Sequence, residues 1–326
     1  MLYQRLMNFR SIALLIVPLV WVNAFSQSPE VNDIKSNKKT FSYKVVDKIQ
    51  IKGDLYSTEN TTLKPVIVWI HGGGLIFGSR GDLPEEQKKF YLKAGYSVVS
   101  IDYRLAPETK LPEIVNDVED AIQWIHQYGR DSLGIDPGKI FIVGHSGGAY
   151  LALMSGYSSK IRPRAIVSFY GYGDIRGKWY SSPSAYYLTQ PAISKDRAEK
   201  LIHDSVITSA PFEERFDLYV YSRQKGSWPE LVSGHNPKKE DEWFKRYCPI
   251  ENIDKTYPPV LLIHGDKDTD VPFAQSVALN EVLESKGIEH KFIQMKNYGH
   301  VFDVFGGLTN PDVAKVFNEV IEFLGK

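Results

Sequence analysis

Residues 141–150, FIVGHSGGAY, constrain this chain more than any other stretch. An apolar, β-favouring run leads into Gly144-His145-Ser146-Gly147-Gly148, and a segment rich in Ala and Leu follows, which predicts a strand, a sharp turn and a helix. Glycines on both sides of Ser146 let the turn tighten, and the helix behind it points free N–H groups at an oxyanion forming beside the serine. Ser146 is therefore a candidate nucleophile. Because glycine–serine turns without a catalytic role are common, the rest of the chain must decide whether Ser146 is a nucleophile or only part of a turn.

Strands and helices alternate along most of the chain, and the run at 65–70 is continuously apolar and β-branched. Such a strand is buried on both faces, as in a parallel sheet. The pattern predicts further strands near 97–102, 139–143, 165–170, 260–263 and 290–295, with helices near 84–94, 112–128, 149–157, 272–286 and 310–324. The predicted fold class is therefore α/β, with a mostly parallel central sheet and helices on both of its faces.

Two segments depart from this alternation. Residues 43–52 alternate only in part, and with Gly53-Asp54 as a turn they predict one or two antiparallel edge strands. Between about 172 and 257 the regular series stops, over a length too great for an ordinary connection. This aromatic-rich segment predicts an inserted, mostly helical cap over the carboxyl ends of the strands, where open α/β sheets bind ligands. We expect most of its aromatic residues to pack the cap itself.

Residues 1–26 have the features of a secretory signal peptide. Arg5 and Arg10 precede an apolar run at 11–22, and cleavage is expected after Ala24 or Ser26. The run is short for a bilayer span, although an uncleaved anchor is the alternative. The prediction is a secreted or periplasmic protein with a mature domain at 27–326 and no stable membrane insertion after cleavage. The sole cysteine, Cys248, excludes an internal disulfide.

Charge and motif content exclude several classes of function. Lys+Arg and Asp+Glu number 39 each, so nothing favours nucleic acid as a partner. No His, Cys or Asp cluster has metal-ligand spacing, and the glycines at 72–74 lack the Lys-Ser/Thr of a phosphate-binding loop. We therefore expect no metal, no cofactor and a small-molecule substrate.

A serine nucleophile needs donors for the oxyanion that forms during its attack. His71-Gly72-Gly73-Gly74 directly follows the strand at 65–70, and glycines leave their N–H groups unshielded by side chains. We expect the N–H groups of Gly73, Gly74 and Gly147 to form the oxyanion hole. Taken alone, a glycine run after a strand is more often only a flexible loop, but its coincidence with the serine turn favours the functional reading.

The serine also needs a base and an acid that orients the base. Asp268 follows a predicted strand in an H-G-x-x-D-x-x-V-P arrangement, and Asp266 and Asp270 in the same loop remain possible acids. His300 follows the next strand and is the predicted base. The order Ser, Asp, His is one of the known orders for this geometry. Among the other histidines, His264 is expected to serve a turn.

The segments at about 60–171 and 257–326 resemble the α/β-hydrolase superfamily, in particular the hormone-sensitive-lipase-like and acetyl-esterase-like carboxylesterases. The resemblance rests on HGGG at 71–74 and on DYRLAPE at 102–108. It implies the α/β-hydrolase fold and an ester hydrolase whose triad is Ser146, Asp268 and His300. His145 and Gly147 beside the serine are closer to feruloyl-esterase-like and prolyl-oligopeptidase-like members, and His145 is expected to line the pocket.

The predicted function is a serine carboxylesterase that hydrolyses small acyl esters through an acyl-enzyme. Export together with an aromatic cap suggests acetyl or feruloyl esters of carbohydrates as substrates. One alternative is a serine peptidase of prolyl-oligopeptidase-like type, which the H-G-x-x-D-x-x-V-P segment suggests. Another is a catalytically silent hydrolase fold that serves as a binding module.

Overall fold

An eight-stranded sheet runs through the part of the chain that the computed structural model describes, residues 34–59 and 62–325. The predicted signal peptide, residues 1–26, lies outside the described residues, so export stays a prediction. The strands are β1 Asn37–Val46, β2 Ile49–Ser57, β3 Lys64–Ile70, β4 Ser97–Ile101, β5 Ile135–His145, β6 Ile166–Phe169, β7 Val260–Gly265 and β8 His290–Met295. Their order is β1-β2-β4-β3-β5-β6-β7-β8. Strands β3 to β8 are parallel, whereas β1 and β2 are antiparallel at one edge.

The helices cover both faces of this sheet. They are α1 Glu85–Lys93, α2 Leu111–Tyr128, α3 Gly147–Ser158, α4 Lys178–Ser181, α5 Lys195–Glu199, α6 Phe212–Lys225, α7 Trp228–Ser233, α8 Asp241–Lys245, α9 Pro249–Asn252, α10 Ala274–Lys286, α11 Phe302–Gly306 and α12 Pro311–Leu324. Successive residues of a strand point to opposite faces. Val68 of β3 accordingly packs in one core with α2, α3 and α10, while Ile67 packs in a second core with α1 and α12. The predicted fold class is confirmed.

No helix among the described residues combines the length and apolar character needed to cross a membrane. The longest of them, α2, has 18 residues and carries charged side chains along its exposed side.

The edge hairpin turns at a different place from the predicted one. Asp47 and Lys48 have φ values of 47° and 73° and connect β1 to β2, as a two-residue hairpin with positive φ at both positions requires. Gly53 and Asp54 lie inside β2 instead, so the predicted turn is wrong. A Cβ on Gly53 would lie 2.7 Å from the Phe41 ring, which shows that the glycine makes room for an aromatic side chain on the neighbouring strand.

Helices α4 to α9 all lie between β6 and β7. Many of their aromatic side chains are buried: Trp228 and Tyr180 are stacked with their ring centroids 4.0 Å apart and belong to the same apolar cluster as Val68 of the sheet. Tyr186, in contrast, is 45% exposed. The inserted helices therefore share the core of the sheet, while leaving some aromatic surface free.

The DYRLAPE segment at 102–108 has a structural role. The Arg104 guanidinium binds the buried Asp117 carboxylate with its Nε at 2.7 Å, which ties the segment to α2. Glu108 pairs with Arg215 of α6 at 2.8 Å, and both side chains are almost fully buried. An unpaired charge at such depth would be costly, so the first pair holds the segment on α2 and the second fixes the position of α6 against the segment.

Candidate active site

Ser146 occupies the sharp turn between β5 and α3. Its φ of 53° and ψ of −118° are strained for a residue with a side chain. A Cβ on Gly144 would lie 2.2 Å from the Gly148 oxygen, and a Cβ on Gly148 would lie 2.2 Å from the Ile70 oxygen. Both positions therefore require glycine, because only glycine lets the strand, the helix and β3 approach so closely. The turn leaves Ser146 9% exposed at the carboxyl edge of the sheet.

The three residues predicted as a triad come together at this edge. His300 Nε2 lies 3.0 Å from Ser146 Oγ, and His300 Nδ1 lies 2.6 Å from Asp268 Oδ2. Because a carboxylate only accepts hydrogen bonds, Nδ1 carries the proton and Nε2 is free to accept the serine hydroxyl hydrogen. Asp268 follows β7 and His300 follows β8, so parallel strand ends deliver both to the serine.

The electrostatics of this pair favour an ionised acid beside a basic imidazole. Burial raises the pKa of the Asp268 carboxyl, but the adjacent His300 and His264 lower it by more, so its pKa lies well below its usual range. Burial lowers the pKa of His300, but the carboxylates of Asp268 and Asp270 raise it by more, so its pKa lies above the usual 6.5. The arrangement stabilises an imidazolium that forms when the histidine takes a proton.

The glycines after β3 provide unoccupied N–H groups next to the serine. Gly73 and Gly74 have positive φ values of 96° and 57°. Among the described residues, no hydrogen bond occupies the N–H of either glycine. Gly147 is the first residue of α3, and a Cβ placed on it would lie 3.1 Å from the Gly74 nitrogen. The three N–H groups predicted as an oxyanion hole therefore belong to two adjacent backbone segments.

This geometry agrees with a comparison of the sequence with known families. A family profile described as BD-FAE matches residues 54–283, which is more than half of the chain. The chain belongs to the BD-FAE family. This is an α/β-hydrolase esterase family, so the predicted resemblance and the predicted enzyme class, an esterase-type hydrolase, are confirmed.

The BD-FAE chain is also similar to segments of much longer proteins. It is 28% identical over 337 aligned positions to the non-reducing polyketide synthase adrD of Penicillium roqueforti, and 28% identical over 300 positions to the non-reducing polyketide synthase Preu6 of Preussia isomera. These alignments cover 88% and 82% of the chain. The aligned region amounts to 14% of the length of each relative.

Solved structures share the fold of this BD-FAE member. A Staphylococcus aureus protein of unknown function superposes with a TM-score of 0.72 at 26% identity, covering 88% of this chain and 98% of the other. An α/β hydrolase superfamily protein from Enterococcus faecalis gives 0.70 at 25% identity with the same coverage. A truncated carbohydrate esterase from gut microbiota gives 0.61 at 24% identity, covering 89% of this chain and 98% of the other.

The BD-FAE site contains a second histidine on the acid, which the sequence did not reveal. His264 is fully buried, and its Nε2 lies 3.1 Å from both Asp268 Oδ2 and the Val271 oxygen. Both partners only accept, so Nε2 carries the proton and Nδ1 accepts from the Ser276 hydroxyl at 2.7 Å. The prediction that His264 serves a turn is wrong. Its position at the end of β7, four residues before Asp268, is the sequence feature that could have predicted this contact.

Asp266 and Asp270, the other two aspartates of the loop after β7, lie at different positions relative to His300. Asp266 accepts the Asn297 N–H at 2.7 Å and so fixes the loop that leads to His300, without contacting its ring. Asp270 lies on the opposite side of the imidazole from Asp268, with Oδ2 3.6 Å from His300 Nε2. Its carboxylate pairs with Arg223 of α6 and is 14% exposed. Asp270 is therefore part of the site.

His145 lies behind the serine rather than in the pocket, so that prediction is wrong. Its ring stacks on Phe169 with centroids 4.5 Å apart, and Nε2 lies 3.0 Å from Asp303 Oδ2. The Tyr170 hydroxyl donates to the same Asp303 carboxylate at 2.7 Å, and the Tyr170 ring packs against His300 with centroids 4.5 Å apart. This buried cluster supports the serine turn and the imidazole from below.

A residue of the inserted helices holds the glycine loop of the BD-FAE site. Trp228 is fully buried, and its Nε1 donates to the Gly74 oxygen at 2.9 Å. The Tyr219 ring lies beneath the same glycine, 2.6 Å from where a Cβ would stand. Glycine at 74 therefore allows the inserted helices to pack directly against the loop.

A cavity of about 560 Å³ opens beside Asp270. Its lining comes from α4 and the following loop, from α6 and from the loop after β7, and includes Lys178, Trp179, Tyr186, Arg223, Thr269 and Asp270. Over residues 34–59 and 62–325, no group of three or more His, Cys, Asp or Glu side chains is arranged to hold a metal ion. The cavity thus combines aromatic surface with polar and charged groups.

Proposed function

We propose that this chain is a serine carboxylesterase that hydrolyses small acyl esters through a covalent acyl-enzyme. The observation that carries the proposal is the continuous chain of contacts from Ser146 Oγ to His300 Nε2 at 3.0 Å and from His300 Nδ1 to Asp268 at 2.6 Å. A nucleophile, its base and an orienting acid within hydrogen-bond distance are what serine-based acyl transfer needs. Membership in the BD-FAE family supports the same chemistry.

In the first half of the reaction, Ser146 Oγ attacks the ester carbonyl carbon while His300 Nε2 takes the hydroxyl proton. The carbonyl oxygen becomes an oxyanion, which the N–H groups of Gly73, Gly74 and Gly147 stabilise. The tetrahedral intermediate collapses when the bond to the alcohol oxygen breaks. His300 then returns the proton to the departing alcohol, and the acyl group stays on Ser146 as an ester.

In the second half, a water molecule replaces the alcohol. His300 takes a proton from this water as its oxygen attacks the acyl carbon, and the same N–H groups hold the second oxyanion. Collapse releases the carboxylic acid and returns the proton to Ser146. Asp268 keeps the imidazole oriented and stabilises its charged form in both halves, which agrees with the direction of both pKa shifts.

For the substrate we propose an acetyl or feruloyl ester of a carbohydrate. The cavity beside the site supports this choice, because Trp179 and Tyr186 line it and aromatic faces pack well against sugar rings and aryl groups. The predicted export of the chain would bring it to such substrates outside the cell.

The test is hydrolysis of p-nitrophenyl esters from acetate to decanoate by the chain without residues 1–26. We expect Ser146→Ala to lower turnover by about 10⁴-fold or more. Ser158→Ala, at the other end of the same helix with its hydroxyl bonded to the Met154 oxygen and to Glu119, should stay fully active as a matched control. The length of the acyl chain that the enzyme hydrolyses fastest indicates the size of the acyl pocket.

Two further measurements separate the alternatives. A serine-directed phosphonate should label the wild-type chain but not Ser146→Ala, and a folded chain that never reacts would be a binding module. An acyl ester and the matching peptide amide are assayed side by side, and efficient, Ser146-dependent cleavage of the amide would identify a peptidase. Inactivity on every ester would refute the proposed function.

A further inference from the structure

We propose that Asp270 is a further substrate-binding residue, which selects esters whose alcohol half carries a second hydroxyl on the carbon adjacent to the one that bears the ester oxygen, as in sugars and other polyols. The inference rests on the proposed function and names the chemistry of the alcohol that the site accepts. The sequence offered Asp270 only as an alternative acid.

The first step of the argument is the position of Asp270 relative to the departing alcohol. His300 Nε2 faces Ser146 Oγ at 3.0 Å and Asp270 Oδ2 at 3.6 Å. The alcohol oxygen takes its proton from this nitrogen, so it must lie within hydrogen-bond distance of Nε2. Oxygens on adjacent carbons are separated by about one hydrogen-bond length. A neighbouring hydroxyl can therefore reach Asp270 while the ester oxygen faces His300.

The second step is that the carboxylate is held in place before a substrate arrives. The Arg223 guanidinium pairs with Oδ1 and also donates to the Asp270 backbone oxygen at 2.9 Å. The Tyr219 hydroxyl donates to Oδ1 at 2.7 Å, and the Tyr187 hydroxyl also interacts with the carboxylate. An acceptor fixed by several donors loses little freedom when it binds one more.

The third step concerns which groups this oxygen can bind. A carboxylate only accepts, so its partner on the substrate must be a donor such as a hydroxyl. A negatively charged group on the alcohol would be repelled by Asp270 at this distance. At the position that faces Asp270, the site therefore favours a neutral hydroxyl over a carboxylate.

The last step is the space beyond Asp270. The cavity of about 560 Å³ is large enough for a small-molecule ligand. Trp179 and Tyr186 offer aromatic faces to the apolar side of a sugar ring, and Thr269 and Lys178 offer polar groups to its hydroxyls. The alcohol half of the substrate can therefore extend from His300, which faces the ester oxygen, past Asp270, which binds the neighbouring hydroxyl, into the cavity.

The test compares two acetates of equal size, 2-hydroxyethyl acetate and propyl acetate, which differ by a hydroxyl in place of a methyl group. The measured quantity is the ratio of their kcat/KM values. Hydrogen bonds to charged groups are strong enough that we expect the wild-type ratio to be about ten or more. Misfolded molecules do not affect this ratio, because the same active molecules hydrolyse both esters.

Asp270→Asn removes the charge, and we expect it to lower the ratio by about tenfold. Asp270→Glu keeps the negative charge beside Arg223 but displaces the carboxylate oxygens, so it should also lower the ratio. It replaces Asp270→Asn in the test if that variant does not fold. Asp266→Asn makes the same charge change in the same loop away from His300 and should keep the wild-type ratio.

The outcomes separate this inference from the function on which it rests. A wild-type chain that hydrolyses neither acetate nor p-nitrophenyl acetate overturns both. A wild-type chain that hydrolyses both acetates with a ratio near one overturns only the inference. The inference is also overturned if Asp270→Asn and Asp270→Glu leave the ratio unchanged. Asp270 would then only anchor the inserted helices.

Discussion

The hydrogen bond from Trp228 to the glycine loop allows a direct test of how the inserted helices support the site. The Trp228 indole is fully buried, and its Nε1 donates to the Gly74 oxygen at 2.9 Å across 154 residues of sequence. Trp228→Phe keeps an aromatic ring but removes this donor. We expect a loss of both stability and turnover, because the Gly74 oxygen stays buried while the loop loses its anchor.

The size of the effect follows from the contacts that are lost. A buried carbonyl left without its donor costs about 1–3 kcal/mol, and the smaller ring adds a cavity cost on top of this. Complete loss of one oxyanion donor lowers kcat by about 10²–10³-fold. Since Gly74 would be loosened rather than removed, we expect kcat to fall by at least about tenfold.

Trp69→Phe is the matched control. Trp69 is also buried, but its Nε1 has no hydrogen-bond partner among the described residues. Both variants make the same change in size, so their difference isolates the hydrogen bond. We expect Trp228→Phe to unfold at a temperature about 3 °C lower than Trp69→Phe, which corresponds to about 2 kcal/mol in a domain of this size.

The measurements are thermal unfolding and steady-state hydrolysis of p-nitrophenyl acetate, with active sites counted by phosphonate labelling. Equal unfolding temperatures for the two variants would refute the energetic argument. A Trp228→Phe variant that is destabilised yet retains full kcat would refute the claim that this indole positions the glycine loop.

Four further predictions concern the rest of the site. Because the base must be neutral and the pKa of His300 lies above 6.5, the acid limb of kcat/KM should have its midpoint above pH 6.5; a midpoint below 6.5 would contradict this. The same shift stabilises the fold below pH 6.5 and is lost as the pH rises through the raised pKa, which urea unfolding at a series of pH values would detect. His264→Leu should lower kcat by about tenfold with little change in KM, since it removes a donor from the acid, and an unchanged kcat would exclude this positioning role. Gly148→Ala should prevent folding, because its Cβ would lie 2.2 Å from the Ile70 oxygen, whereas Gly138→Ala at an exposed position of β5 should fold. Soluble, active Gly148→Ala would refute the packing argument.

Features that depend on a few contiguous residues could be predicted from the sequence. The strand-turn-helix at Ser146 is one, because glycines at 144 and 148 are required by contacts that any such turn makes. The parallel sheet is another, since the continuous apolar runs indicate strands buried on both faces. Asp268 and His300 followed from the same pattern, because each stands directly after a buried strand.

Features that depend on packing between distant segments were missed. Gly53 looked like a turn residue, but it faces the Phe41 ring across the hairpin. His264 looked like a turn residue as well, although the fold places it on the carboxylate of the acid. His145 was expected in the pocket, yet its side chain points into the core toward Asp303.

The sequence by itself determined the kind of fold, the serine turn and the residues that a triad would use. Local backbone requirements and hydrophobic periodicity are written in adjacent residues, so they can be read without coordinates. Only the tertiary structure decided which side of His300 each aspartate faces and which inserted residues reach the site. Arg223 meets Asp270 across 47 residues and Trp228 meets Gly74 across 154, and no local pattern specifies such contacts, because they arise when separate elements pack together.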